Sequence, residues 1–142
     1  MAYTGDFRIV KSLVGDTYEI CYGTADEALE AGDICNFDGD SELEKVDDDA
    51  DEHDLVIVLE DAEADQTDVP YVWLDPWILI EGDFKGTMGD VGDIAKLDVT
   101  TNEIQLEPTT AALGRFMIRE IDPNGDDADL VRATRIFGAG MS

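Results

Sequence analysis

The sequence predicts a mainly β domain, a small β-barrel or sandwich with at most one or two short helices. Three observations carry that expectation. Apolar or alternating runs of strand length recur along the chain, Gly-Asp steps punctuate them, and helix signals are few. The runs are Tyr18–Tyr22, Ile34–Phe37, Leu55–Leu59, Val69–Leu74, Trp77–Ile80, Ile94–Leu97, Arg115–Ile121 and Leu130–Phe137. Eight of the thirteen glycines precede Asp, at Gly5, Gly15, Gly32, Gly39, Gly82, Gly89, Gly92 and Gly125. Glycine supplies positive φ, and the Asp side chain caps neighbouring amides, so each step reads as a turn.

Leu55–Leu59 is continuously apolar and rich in β-branched residues, which predicts a strand covered on both faces. Trp73, Leu74, Trp77 and Ile78–Ile80 flank an Asp75-Pro76 turn. Core packing is the expected use of these aromatic residues, with a subunit interface as the alternative. Thr24–Ala31 has a capping-box start at Thr24 and Glu27 and a stop at Gly32, which allows barely two helical turns. Thr109–Leu113 is expected to add at most one more.

The length of 142 residues fits a single domain, expected to carry an N-terminal arm over about 1–12 and a short C-terminal tail over about 138–142. Its formal net charge is -26, from 35 acidic and 9 basic residues, yet 44% of the chain is hydrophobic. That hydrophobic fraction argues for folding rather than disorder. Self-repulsion of this size opposes compaction in dilute buffer, whereas at 1 M salt the screening length falls to about 3 Å and most of the penalty disappears. Only four lysines occur, and Asp outnumbers Glu 23 to 12, a pattern that resembles proteins of halophilic archaea and their viruses. An acidic partner-binding surface, such as a DNA mimic, is the alternative.

Several functions are disfavoured. The chain lacks the basic footprint that binding a nucleic acid requires. No apolar run approaches the roughly 20 residues that cross a bilayer, and Met1–Asp6 does not open a secretory signal, so no membrane partner is expected. Cys21 and Cys35 sit beside apolar neighbours and read as buried small side chains, with a single disulfide as the alternative. His53 is the lone histidine, and no zinc-ligand spacing exists around it. Nucleophile-elbow, phosphate-loop and dinucleotide motifs are absent, and no carboxylate pair stands out among the 35 acids. No enzyme activity, cofactor or resident metal is therefore expected. Asn36–Asp40 and Asp122–Asp126 place oxygen side chains at alternate positions but lack the Gly and Glu of an EF-hand, so both read as tight turns with at most incidental cation binding. The dense acidic run Asp47–Asp54 reads as a solvated loop.

Four of the five arginines lie in the last third, at Arg115, Arg119, Arg132 and Arg135. Strand alternation puts Arg115 with Arg119, and Arg132 opposite Arg135. Such a patch suits docking on an acidic neighbour, and pairing with carboxylates of the same chain is the competing expectation.

From Ala31-Gly32-Asp33-Ile34-Cys35, through Leu55–Ala62, to Trp77–Gly82, the order of features resembles small capsid decoration, or cement, proteins of tailed viruses. Gly92-Asp93-Ile94 repeats the Gly-Asp-apolar step. The likeness covers about residues 18–137 as a pattern, and the acidic insertion at Asp47–Asp54 and the final Arg-containing strand depart from it. It implies a β-barrel or β-tulip unit on the outer capsid surface of a haloarchaeal tailed virus. Such a unit is a homotrimer bound to the major capsid protein by protein contacts alone. On that reading the interface candidates are Tyr3, Phe7, Arg8, Lys11, Arg115, Arg119, Arg132 and Arg135. Two alternatives remain. One is another virion β-module, such as a turret, tail-tube or head-completion protein. The other is a halophilic cytoplasmic enzyme or ligand binder, which a deep pocket with desolvated carboxylates would favour.

Overall fold

The computed structural model describes residues 7–15, 17–46, 55–84, 90–99, 104–108, 116–125 and 129–136. Among them every regular element is a strand, as expected: β1 (Phe7–Ser12), β2 (Cys21–Gly23), β3 (Ile34–Phe37), β4 (Leu43–Lys45), β5 (Val56–Val58), β6 (Val69–Trp73), β7 (Ile78–Asp83), β8 (Ile94–Val99), β9 (Ile104–Pro108), β10 (Phe116–Ile121) and β11 (Leu130–Arg135). They form two antiparallel sheets, a six-stranded one of order β1-β7-β11-β10-β8-β9 and a five-stranded one of order β2-β6-β5-β3-β4. The sandwich form of the expectation holds, and no closed barrel forms among the described residues.

The two sheets are built on one plan. In chain order, β2-β6-β5-β3-β4 and β7-β11-β10-β8-β9 are the same arrangement displaced by five strands, and β1 is the one addition, on the edge of β7. Register follows suit: Ile34 faces Ile57 and Cys35 faces Val56, as Ile94 faces Met117 and Ala95 faces Phe116. The turns agree to the atom. Gly32 and Gly92 share φ 98°, and their amides donate to Val58 O and Ile118 O, both at 2.8 Å. Asp33 Oδ2 accepts from the Glu30 amide and Asp93 Oδ2 from the Asp90 amide, each at 2.9 Å. Only glycine adopts that φ without strain, and only a short carboxylate reaches back three residues, so the repeated Gly-Asp step is the visible trace of the plan.

The halves stack front to back. Leu55 and Ile57 of the five-stranded sheet enter the main core with Phe7, Ile80, Phe116 and Ile118 of the other sheet. Val56 and Val58 point the opposite way, into a second core with Cys35, Leu43, Val69 and Tyr71. Strand β5 is therefore buried on both faces, as its unbroken apolar run predicts.

The second core needs a lid, and the segment expected to be helical provides it. Ala25 and Leu29 are buried there, one helical turn apart, but their amides donate to Gln66 O and Ala62 O, at 2.9 and 2.8 Å. A two-turn helix is too short to be stable alone, so bonds to neighbouring segments win, and Thr24–Ala31 runs as irregular chain. Thr109–Leu113 and the tail 138–142 lie outside the described residues.

The expected arm is corrected in the same way over its described part. Phe7–Ser12 is an edge strand paired with β7 from Phe7↔Gly82 to Ser12↔Ile78, with a bulge between Ile9 and Lys11. Phe7 is 0% exposed, so it is a core residue and not a side chain offered to a partner. Phe7→Ala is expected to cost about 3–5 kcal/mol of unfolding free energy, read from denaturant titration in high salt. A loss below about 1 kcal/mol would show the strand to be loosely attached.

Candidate interaction surface

The described arginines of the expected patch divide by face. Cross-strand pairing sets Arg8 on β1, Glu81 on β7, Arg132 on β11 and Glu120 on β10 in one row, with charge alternating along it. Opposite charges directly across a sheet are the favourable arrangement. The Glu81 side chain is only 4% exposed and takes a hydrogen bond on each oxygen, from Arg8 Nε at 2.8 Å and Arg132 Nε at 2.9 Å. Arg132 Nη1 also reaches Glu120 Oε1 at 3.4 Å. Burial pushes the Glu81 carboxyl up, but the hydrogen bonds and charges of the two arginines outweigh it and hold the group below its ordinary range. Pairing within the chain, the competing expectation, is what Arg8 and Arg132 do.

Arg119 is exposed and donates from Nε to Thr134 Oγ1 at 2.9 Å. A bulge between Ile118 and Glu120 interrupts the alternation that the sequence implies there. Lys11 is exposed on the edge strand. Arg135 turns inward as the alternation requires, yet it is 2% exposed, with its guanidinium 5.4 Å from the centre of the Phe116 ring. It is a core cation stacked on an aromatic face, so its place among the interface candidates is corrected. Tyr3 and Arg115 lie outside the described residues.

Some large apolar side chains lie on the surface, against the first expectation for the tryptophans. Trp73 and Trp77, expected in the core, are 37% and 43% exposed. With Val14, Tyr18 and Val72 they wall a pocket of about 280 Å³. Leu13, also exposed, is tied to it by a backbone bond from its amide to Trp77 O at 2.8 Å, and exposed Ile20 and Tyr22 follow on the chain leading into and along β2. The tryptophans are held outward by local geometry. Trp73 ends β6 on the second-core face and leans against Phe37 and Tyr71, with ring centres 5.5 and 6.0 Å away. Trp77 sits in the turn that carries the chain from one sheet to the other, where Ile78 N donates to Asp75 O at 3.0 Å.

Asp75 and Glu19 are the acids of this pocket. Desolvation first, and the Glu19 charge second, raise the Asp75 carboxyl above its ordinary value. The pocket can thus hold an apolar group with a cationic or hydrogen-bonding end, because aromatic faces and carboxylates both favour positive charge.

Other chemistry-bearing groups have structural explanations. Cys21 and Cys35 are free thiols, and Cys35 is fully buried, its thiol pushed well up by burial and then by the Asp33 charge. Asp26, Asp38 and Glu42 converge their carboxylates within 4.8 Å. Asp38 is engaged as a turn residue, its Oδ1 accepting from the Asp40 and Glu42 amides at 2.8 and 2.9 Å, which is the tight-turn reading of Asn36–Asp40. In the second loop Gly125 N donates to Asp122 O at 3.0 Å.

Glu81→Gln is expected to cost about 3 kcal/mol, since it leaves two arginines facing a neutral group at a buried position. The folded-state pKa of Glu81 lies below its unfolded value of about 4.3, so the carboxylate stabilises the fold above that pH, and its advantage fades as pH falls through the folded value. Denaturant titrations of both proteins should differ most above about pH 5 and draw together progressively as the pH falls below the unfolded value and through the lowered folded one.

Comparison of the chain with protein-family models, with curated proteins and with solved structures finds no match.

Proposed function

We propose that the protein is a structural virion component that decorates and stabilises the outer capsid of a halophilic tailed virus, as a homotrimer bound to the major capsid protein. The observation that carries the reading is the cluster of exposed Leu13, Val14, Ile20, Tyr22, Trp73 and Trp77 on a chain of net charge -26. A protein facing brine gains nothing by exposing two tryptophans, and exposed apolar residues that share one pocket, as Val14, Trp73 and Trp77 do, suit an interaction site. Short hydrated carboxylates elsewhere would keep the remaining surface solvated. The Gly-Asp turns at Gly32-Asp33 and Gly92-Asp93 are the feature of the resemblance that the reading rests on. In this reading the apolar surface makes the principal contact, and exposed Lys11 and Arg119 act at its margins or elsewhere on the assembly.

A second reading has one specific observation in its favour. The pocket beside Asp75 combines a desolvated carboxylate with aromatic walls, which suits a small-ligand binder. The two readings separate on one variant pair. Trp77→Asp is expected to weaken capsid attachment or oligomer formation at least about tenfold, as loss of an aromatic anchor does, while leaving the monomer's unfolding midpoint nearly unchanged. Occupancy on undecorated capsids and light scattering in multimolar salt read both effects. If attachment survives Trp77→Asp but Asp75→Asn abolishes binding of a small cation, the ligand-binder reading replaces this one.

A further inference from the structure

The common plan of the two sheets exposes an asymmetry. In the six-stranded sheet the outer edge of β7 is covered by β1, with Arg8 opposite Glu81 and Phe7 opposite Gly82. The equivalent strand of the five-stranded sheet is β2, and no described residue pairs with its outer edge. The equivalence is fixed by register. Tyr22 faces Pro70 and Gly23 faces Val69 across β2 and β6, just as Glu81 faces Arg132 and Gly82 faces Val131 across β7 and β11. Beyond this point the two edges behave alike again: Ala25 bridges Leu43 in parallel, as Phe84 bridges Leu106.

The main chain of β2 is oriented to receive a strand. Leu59 N donates to Pro70 O at 3.0 Å, so the carbonyl of Pro70 points toward β5 and away from β2. Antiparallel ladders alternate bonded and non-bonded pairs, which makes Tyr22↔Pro70 a non-bonded pair and directs the Tyr22 amide and carbonyl to the open edge. The same parity holds in the sister sheet, where Phe7 N turns away from β7 to Gly32 O, leaving Arg8 to bond Glu81. Tyr22 is 64% exposed.

We propose that the outer edge of β2 is a strand-acceptor site for an extended segment of a partner protein, paired antiparallel, with a basic residue opposite Tyr22. The sister edge shows the occupant's chemistry: β1 sets Arg8 outward between inward Phe7 and Ile9. Charge points to the same chemistry, since Glu19, whose Oε1 accepts from Cys21 Sγ at 3.7 Å, lies beside the edge and favours a basic residue on the incoming strand. Opposite Tyr22 an arginine stacks on the ring in place of the Arg8–Glu81 pair. The inward position differs. A Cβ built at Gly23 lies 3.2 Å from Tyr71 Cε2 and 3.4 Å from Leu43 Cδ1, so Tyr71 and Leu43 already fill the space beside Gly23, and a small residue is the conservative choice to face it. This inference does not depend on the capsid reading, because it specifies an edge and an occupant whatever the assembly.

The test uses the full chain and the capped hexapeptide Ala-Arg-Ile-Val-Lys-Ser, which copies β1 with a small first residue. Titration by amide NMR and hydrogen exchange at millimolar peptide is expected to protect the Tyr22 amide and to give antiparallel cross-strand contacts. Tyr22→Pro removes the one outward amide while keeping a proline tolerated at a sheet edge, and is expected to weaken binding about tenfold or more without lowering the unfolding midpoint. A second pair of probes needs no protein variant: N-methylation of the peptide's Arg abolishes binding, and N-methylation of its Ile does not. Absence of binding, binding that ignores both the Tyr22→Pro change and Arg N-methylation, or a concentration-dependent dimer in which Tyr22 is protected without peptide would each overturn the proposal. The last would assign the edge to a second copy.

Discussion

A net charge of -26 on 142 residues is the constraint that the rest of the structure answers. Carboxylates repel one another across the whole surface, so the fold must concentrate its favourable energy inside. It does so around β5, where Leu55, just before the strand, and Ile57 enter one core while Val56 and Val58 enter another. Each buried aliphatic side chain contributes roughly 1.5–3 kcal/mol, and a strand that places every residue in a core contributes on both sides at once. The front-to-back stacking of two equivalent sheets follows, because the five-stranded sheet must be apolar on both faces to serve both cores.

The scarce cations are spent where a carboxylate is buried. Glu81, on a central strand of the six-stranded sheet, is flanked by Arg8 and Arg132 in a cross-strand row, and buried Asp33 has Lys45 Nζ at 3.7 Å. A buried unpaired carboxylate would protonate or unfold the local chain, so these few bases hold more than their number suggests. That allocation accounts for Arg8, Arg132 and Lys45, while exposed large apolar side chains lie at the turn region between the two sheets and on β2.

Much of the fold was legible in the sequence, for local reasons. Each of the eight apolar runs overlaps a strand, the first only at Cys21 and Tyr22, because period and length carry that information, and the Gly32-Asp33 and Gly92-Asp93 turns have the geometry that a positive-φ glycine followed by a capping carboxylate implies. Three strands were not legible. β1 carries a bulge that breaks its alternation, β4 is three residues long among acids, and β9 alternates but is short. The helix expected at Thr24–Ala31 rested on a capping pair, Thr24 and Glu27, and a stop at Gly32, but Glu27 Oε2 accepts from the Lys45 amide and the Gly32 amide donates to Val58 O, so both signals serve contacts with other segments. Of the candidate site, the alternation of Arg132 and Arg135 was readable, but their partners were not. Which of 35 acids lies across a sheet from an arginine is a matter of long-range register.

The central claim is that an apolar interior holds this chain together against its own charge. It is tested most directly by the unfolding midpoint as a function of salt, followed by tryptophan fluorescence and circular dichroism from about 0.05 to about 3 M in both NaCl and KCl. As the screening length contracts from about 14 to below about 3 Å, the account predicts a steep rise in stability, similar in the two salts, through one cooperative transition seen by both probes. A midpoint that is already maximal at low salt, or two separate transitions for the two sheets, would contradict it.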